Sequence, residues 1–273
     1  MTLNCKGQLV DISIPKVMGI LNITPDSFYD GGRYKDESTI LRQVERMLSD
    51  GATFIDIGGY SSRPGADHIS TEEELNRVIP IIELLMQHHP NCLISVDTFR
   101  SKVAKMCVEA GAALVNDISS GQLDQEMMQT VGELRVPFIM MHMLGTPQTM
   151  MDHTNYEDLM KSMLSFFSER IAIAKEHGIL DIVIDPGFGF SKTLEQNYQL
   201  LNALELLQII ERPILVGLSR KSMIYKVLET TPEKALNGTS TLHAIALLKG
   251  ASILRVHDVK EAYECITLVN QLP

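Results

Sequence analysis

Three residues, each following its own apolar run, could together read the edge of a flat ring. Asp97, Asn116 and Asp185 each stand after a short, β-branched hydrophobic segment. A carboxylate accepts two parallel N–H bonds, and an amide both donates and accepts. Two carboxylates and an amide in one place suit a heterocycle rich in N–H donors. A second set is cationic: Arg63, Arg220, Lys221, Arg255 and His257. Arg255 and His257 are two apart, so on a strand both point to one face. Gathered together, these groups suit an anion of the phosphate or pyrophosphate kind. Plainer readings stay open for each residue. An aspartate after a strand often caps a helix, and Asp117, Asp258 and Thr98 are open to that reading. One carboxylate of the ring set could simply pair with Lys221. Arg220 and Lys221 could be solvated residues at a helix start, although cations there oppose the helix dipole.

The elements that must position these residues alternate. Apolar runs fall at 17–21, 54–57, 93–96, 114–115 leading to Ile118, 138–141, 182–184, 214–216 and 253–256. Continuous rather than alternating apolar runs indicate strands buried on both faces, as in parallel sheets. Helical spacing lies between them. Ile40, Leu41, Val44, Met47 and Leu48 share a face, and Gly51 stops that helix. Thr71 with Glu74 reads as a capping box before Leu75, Val78, Ile81, Ile82 and Leu85, with Pro80 kinking the helix. Further helices fit 101–110, 123–135, 155–177, 195–210, 222–228, 233–249 and 259–271.

Strand and helix therefore repeat through eight units, the arithmetic of an α/β fold closed as a single-domain (β/α)8 TIM barrel over residues 1–273. A doubly wound open sheet is the rival. Its glycine fingerprint after the first strand is absent. Barrel enzymes build their sites at the C-terminal strand ends. Those ends are polar here: Asn22; Gly58 and Gly59, then Ser61, Ser62 and Arg63; Asp97; Asn116; His142; Asp185; Ser219 to Ser222; Arg255 and His257. The long loops 24–36 and 59–70 read as lids, with Phe28, Asp30 and Arg63 placed to close over a substrate. His142, among adaptable methionines, is open as core or site.

The bulk numbers exclude some classes. A net charge of −10 argues against a general nucleic-acid or acidic-membrane surface. No apolar run approaches the ~20 residues of a membrane span, and residues 1–15 lack a signal peptide's apolar core, so a cytoplasmic protein is expected. The four cysteines form no C-x-x-C pair and read as reduced. No H-E-x-x-H suggests zinc.

The ordered motifs resemble the dihydropteroate synthase family over nearly the whole chain. They are MGILNITPDSFYDGG at 18–32, DIGGYSSRPGA at 56–66, SVDTFR at 95–100, NDISSG at 116–121, DPGFGF at 185–190, GLSRKS at 217–222, NGTS at 237–240 and RVHDV at 255–259. The resemblance implies a transferase of folate biosynthesis that joins p-aminobenzoate to a dihydropterin pyrophosphate. It implies that Asp97, Asn116, Asp185 and Lys221 hold the pterin, and that Asn22, Arg255 and His257 hold the pyrophosphate with Mg²⁺. It further implies that Arg63, Ser62, Ser222, Phe28 and Phe188 frame p-aminobenzoate, and that Asp30 stabilises a positive methylene. A homodimer through the late helices comes with the family. One departure stands out. Where the family usually has Glu-Ser-Thr-Arg-Pro-Gly, this chain has Tyr60-Ser61-Ser62-Arg63-Pro64-Gly65. A carboxylate and a methyl are lost from the second loop, which bears on its closure and its fit to substrate analogues. Two rivals are a methyltetrahydrofolate methyltransferase, which has no pyrophosphate to hold, and a non-catalytic pterin- or anion-binding protein.

Overall fold

Eight parallel strands close on themselves. The computed structural model describes residues 1–22, 33–61 and 68–272, and the side chains of these apart from residues 22 and 33–36. The barrel strands are β3 (Lys16–Asn22), β4 (Ala52–Gly58), β5 (Leu93–Asp97), β6 (Leu114–Asp117), β7 (Phe138–Met141), β8 (Ile182–Asp185), β9 (Ile214–Val216) and β10 (Ala251–Val256). They pair in that order, and β10 returns to β3. Around them lie α1 (Arg33–Ser49), α2 (Thr71–His88), α3 (Ser101–Ala110), α4 (Met127–Leu134), α5 (Leu159–Glu176), α6 (Leu194–Asn202), α7 (Ser222–Tyr225), α8 (Leu236–Leu248) and α9 (Val259–Val269).

The apolar runs have two jobs, and alternation along each strand divides them. Ile55 and Ile57 of β4, Ile94 and Val96 of β5 and Ile184 of β8 face outward, into a core shared with Val78, Ile82, Val103 and Phe167 of the helices. Phe54, Leu93, Leu114, Ile139, Val183, Leu215 and Ile253 face inward and fill the lower barrel. That lower end is closed by a hairpin, β1 (Thr2–Cys5) and β2 (Gln8–Asp11), which the apolar runs did not announce. Its Leu3, Cys5, Val10 and Ile12 join the inward cluster. The backbone N–H of Asn4 donates to Asp181 at 3.0 Å, and Lys6 donates to the Gly111 carbonyl at 2.9 Å, tying the plug to two barrel loops. Among the described residues the bottom is thus filled, which leaves the C-terminal strand ends as the place for a ligand.

Helix details refine the sequence reading. The cap of α2 is Ser70, whose hydroxyl accepts from Glu73 N–H, so Thr71 already lies inside the helix. Glu74, rather than closing a capping box, is fully buried, accepts from Thr98 at 2.7 Å and pairs with Arg100 at 2.5 Å. The stretch expected as one helix over 195–210 is α6 followed by a 3₁₀ segment, Leu204–Ile210, with Ala203 as the joint. Helix α2 continues through Pro80.

Candidate active site

Strand register brings distant residues level. Asn22 pairs with Gly58, Gly58 with Asp97, and Asp97 with Asn116. Residues spread across almost a hundred positions thus form one row across four strand ends. A side chain at Gly58 would press on Asp97, whose Cβ lies 3.2 Å from where a Cβ would stand.

Beneath that row sits a charge cluster. Arg255 donates Nε to Asp56 at 2.7 Å and Nη2 to Asp97 at 2.7 Å. Asn116 reaches the other oxygen of Asp56 at 3.4 Å. Asp56 is almost wholly buried, and an ionised carboxylate there requires such partners. Burial pushes the Asp97 carboxyl up to about 7, while Arg255 pulls it down. Burial also works against the Arg255 charge, but Asp56 and Asp97 more than offset it and raise its pKa.

On the opposite wall are Asp185 and Lys221. Asp185 accepts from the Gly187 N–H at 2.7 Å; burial raises its pKa, with Lys221 and that N–H opposing. Lys221 donates to the Phe188 carbonyl, and its ammonium lies 4.8 Å from the centre of the Phe190 ring. Burial lowers its pKa to about 8, with Asp185 pulling the other way. Among the described residues Lys221 makes no ion pair within 4.0 Å, so the plain pairing reading does not hold. The turn between them needs its glycine: Gly187 has φ +69°, and a Cβ there would overlap the His142 carbonyl.

Several expectations change. Arg220 is not available to an anion, because it forks onto Asp258 at 2.8 Å twice and holds the carbonyls of Pro232 and Glu233 at 2.9 and 2.6 Å. Asp258 is therefore a loop anchor and makes no side-chain cap to α9. Asp117 binds Ser119 and Gly121 N–H groups at 2.7 and 2.6 Å, organising the loop after β6. The Phe188 side chain is fully buried in the outer core and does not reach the mouth. Loop parity explains this: its carbonyl faces Lys221, and the ring presented there is that of Phe190, two residues on. His257 lies beside Ser219, its Nδ1 3.0 Å from the hydroxyl. Ser222 opens α7 directly after Lys221. Phe28, Asp30, Ser62 and Arg63 lie outside the described residues, as does the Asn22 side chain.

Tyr60 fills the place of the missing loop carboxylate with different chemistry. Its hydroxyl accepts from Gln148 at 2.9 Å and lies 3.4 Å from His68 Nδ1. Its ring stands edge-on to Phe99 at 5.0 Å, with the Arg100 guanidinium 5.4 Å from its centre. It joins the loops after β4, β5 and β7 at the rim.

Sequence reasoning missed Asp56, Phe190 and Lys192, the buried partner of His142, which the sequence left open as core or site. Asp56 carried a signal, since an acid inside an apolar strand run requires a buried partner.

A parallel barrel whose mouth sets Asp97, Asn116 and Arg255 against Asp185 and Lys221 defines a class: barrel enzymes that seat a polar ring at their strand ends. The chain matches the pterin binding enzyme family over residues 18–257. The dihydropteroate synthase of Escherichia coli is 42% identical over 271 residues, covering 98% of this chain and 95% of that protein. A crystal structure of Yersinia pestis dihydropteroate synthase with a sulfonamide drug complex is 44% identical, with a TM-score of 0.92 over 99% of this chain and 98% of that one. The Xanthomonas albilineans dihydropteroate synthase with 4-aminobenzoic acid is 39% identical, with a TM-score of 0.90 over 99% and 97%. The chain belongs to the dihydropteroate synthases of the pterin binding enzyme family and is a transferase.

Proposed function

We propose that the chain joins p-aminobenzoate to 6-hydroxymethyl-7,8-dihydropterin pyrophosphate in folate biosynthesis, releasing pyrophosphate and forming 7,8-dihydropteroate. The observation that carries this is the mouth itself. Asp97 and Asn116 stand level on one wall, and Asp185 and Lys221 face them. In this reading Asp185 accepts from the amino-pyrimidinone edge, Lys221 donates to ring acceptors, and Asn116 meets the mixed edge. Arg255 and His257, with Asn22 at the end of β3, lie toward the pyrophosphate. By the family pattern Arg63, Ser62, Phe28 and Ser222 serve p-aminobenzoate, with Phe190 beside Lys221 in the place expected of Phe188, and Asp30 serves the methylene.

The methylene C–O bond breaks with its electron pair leaving on pyrophosphate. The ring shares the resulting positive charge, Asp30 stabilises it, and the neutral amine then forms the new C–N bond and loses a proton. No strong general base is required. The residues neutralise the leaving group and exclude water. Among the described residues no group of three or more His, Cys, Asp or Glu could hold a metal ion. Magnesium would be held chiefly through the substrate's phosphates, with Asn22 as the protein's contribution. The ion would supply charge neutralisation at the pyrophosphate.

The decisive assay is pyrophosphate release from the dihydropterin pyrophosphate with and without p-aminobenzoate. Release that depends on the amine is expected. Release that the amine does not increase, or none, defeats the synthase and favours a pterin-binding protein without this turnover.

A homodimer is part of the proposal. Leu206, Ile209 and Leu248 are exposed beside the joint that Lys249 makes with Asn202 and Glu205. Apolar side chains grouped on a surface mark an interaction face. Light scattering should give twice the chain mass, and a monomer at micromolar concentration would exclude it. No helix among the described residues is long and apolar enough to cross a membrane. A cytoplasmic location agrees with four free cysteines, of which Cys5, Cys92 and Cys107 are buried, their thiols pushed up to about 12 by burial; cell fractionation checks it.

A further inference from the structure

A lysine is buried behind the candidate site and, among the described residues, makes no ion pair within 4.0 Å. Lys192 is 3% exposed. Its ammonium reaches the Gly187 carbonyl at 3.1 Å, the Phe190 carbonyl at 3.0 Å and His142 Nδ1 at 3.0 Å, with the His142 carbonyl at 3.5 Å. Three N–H donors thus meet three close acceptors, which satisfies the group when it is charged; burial lowers its pKa to about 7, with Asp185 pulling it up, so the ammonium is the form held below that pH. His142, on the strand side of the loop, is fully buried. With Lys192 donating, Nδ1 accepts and the ring proton falls on Nε2, which has no hydrogen-bond partner among the described residues. Burial and then Lys192 hold its pKa down to about 2, so it stays neutral and remains an acceptor.

These contacts fix the turn whose backbone meets both ring-edge groups, Asp185 and Lys221. With the Gly187 and Phe190 carbonyls drawn to Lys192, the Gly187 N–H points to Asp185 and the Phe188 carbonyl to Lys221. Asn197 holds the same turn from outside, accepting from Gly189 N–H at 2.7 Å and donating to the Lys192 carbonyl at 3.3 Å. Asp185 feels both ammonium groups, Lys221 in the mouth and Lys192 behind it.

We propose that Lys192 and His142 are positioning residues for pterin recognition: the ammonium, braced by the imidazole, sets the 185–190 turn so that Asp185 and Lys221 meet the ring edge. This rests on the reading of Asp185 and Lys221 as ring-holding groups. Neither residue touches substrate. A merely structural role would weaken every property of the enzyme together. A positioning role weakens pterin binding selectively.

The test is Lys192→Met, which keeps the length and removes the charge. Binding of 6-hydroxymethyl-7,8-dihydropterin is measured by calorimetry, and kcat and the KM for p-aminobenzoate at saturating pterin substrate. The pterin Kd should rise at least tenfold while the KM for p-aminobenzoate stays within twofold. A pterin Kd within twofold of the parent overturns the proposal, as does an equal loss in both substrates. Should Lys192→Met give no folded protein, His142→Leu decides: a threefold or greater rise in pterin Kd alone supports the role, and an unchanged Kd overturns it. A parent enzyme that does not bind the dihydropterin sinks the functional reading itself. A parent that binds it, with both variants unchanged, sinks only the role of Lys192 and His142.

Discussion

Arg255→Ala is expected to lower kcat/KM by about 10³-fold, the scale of losing a preorganised electrostatic group at a reacting centre. It should also destabilise the empty enzyme. The guanidinium binds Asp56 and Asp97 at once, so its loss strands two carboxylates. Breaking a fully buried pair costs about 3–5 kcal/mol, and less is expected here because the Arg255 side chain keeps 23% exposure. The loss should depend on pH with a definite sign. Asp97 is already raised by burial to about 7, and removing Arg255 raises it further. A carboxyl whose folded pKa lies above its unfolded value makes the folded state bind more protons, so stability falls as pH rises between the two values. Below about pH 7 parent and variant lose stability alike, so the Tm deficit of the variant should grow from pH 7 to pH 9. A deficit that shrinks over that range would show that Asp97 does not depend on Arg255.

The same variant separates two roles for the arginine. Were Arg255 devoted to pyrophosphate, its loss would hurt the pyrophosphate substrate but spare binding of plain 6-hydroxymethyl-7,8-dihydropterin. The observed fork onto Asp56 and Asp97 predicts that both fall, because Asp97 loses its fixed place in the pterin wall. Calorimetry with the plain dihydropterin tells the two apart, and near-normal turnover would sink both.

How much of this was legible depends on whether a feature is local. Eight apolar runs betray strands buried on both faces, and that periodicity survives in the barrel. Asp97, Asn116 and Asp185 stand at strand ends, where polarity is conspicuous after an apolar run. Asp56 lies inside such a run, two residues below the strand end, and was read through; only its pairing with Arg255, 199 residues away, shows its purpose. Lys192 and His142 lie 50 residues apart and meet only because β7 and β8 are neighbours. Phe188 and Phe190 differ by loop parity, and a loop has no period to read. The basal hairpin has strands of four residues, too short for a pattern to stand out. Arg220 shows the converse limit. Its type and position suited an anion, but acceptors on the following loops bond each of its three nitrogens.

Asp185→Asn should separate stability from function most sharply. The substitution keeps shape and replaces an acceptor-only group with one that also donates. Against the N–H donors of an amino-pyrimidinone edge, the amide nitrogen offers the wrong polarity at one of two positions. A site built to pair such groups discriminates strongly when one is mismatched, up to about 10⁴–10⁵. A fall of at least ~10³ in kcat/KM for the pterin substrate is expected on that scale, with the KM for p-aminobenzoate much less affected. Stability should move the other way. Burial raises the Asp185 pKa above its ordinary value of 3.8, outweighing the help of Lys221, the Gly187 N–H, Arg255 and Lys192. The ionised carboxylate thus costs the empty enzyme stability at pH 8. That cost fades as pH falls toward 3.8, where folded and unfolded forms are both protonated. The variant's Tm should equal or exceed the parent's at pH 8, and its advantage should vanish near pH 4. A Tm clearly below the parent at pH 8 would mean that the two flanking ammonium groups stabilise the fold through Asp185. Parental kcat/KM would remove Asp185 from the ring edge. The expected result is a buried acid that costs stability in the empty barrel and is retained for recognition.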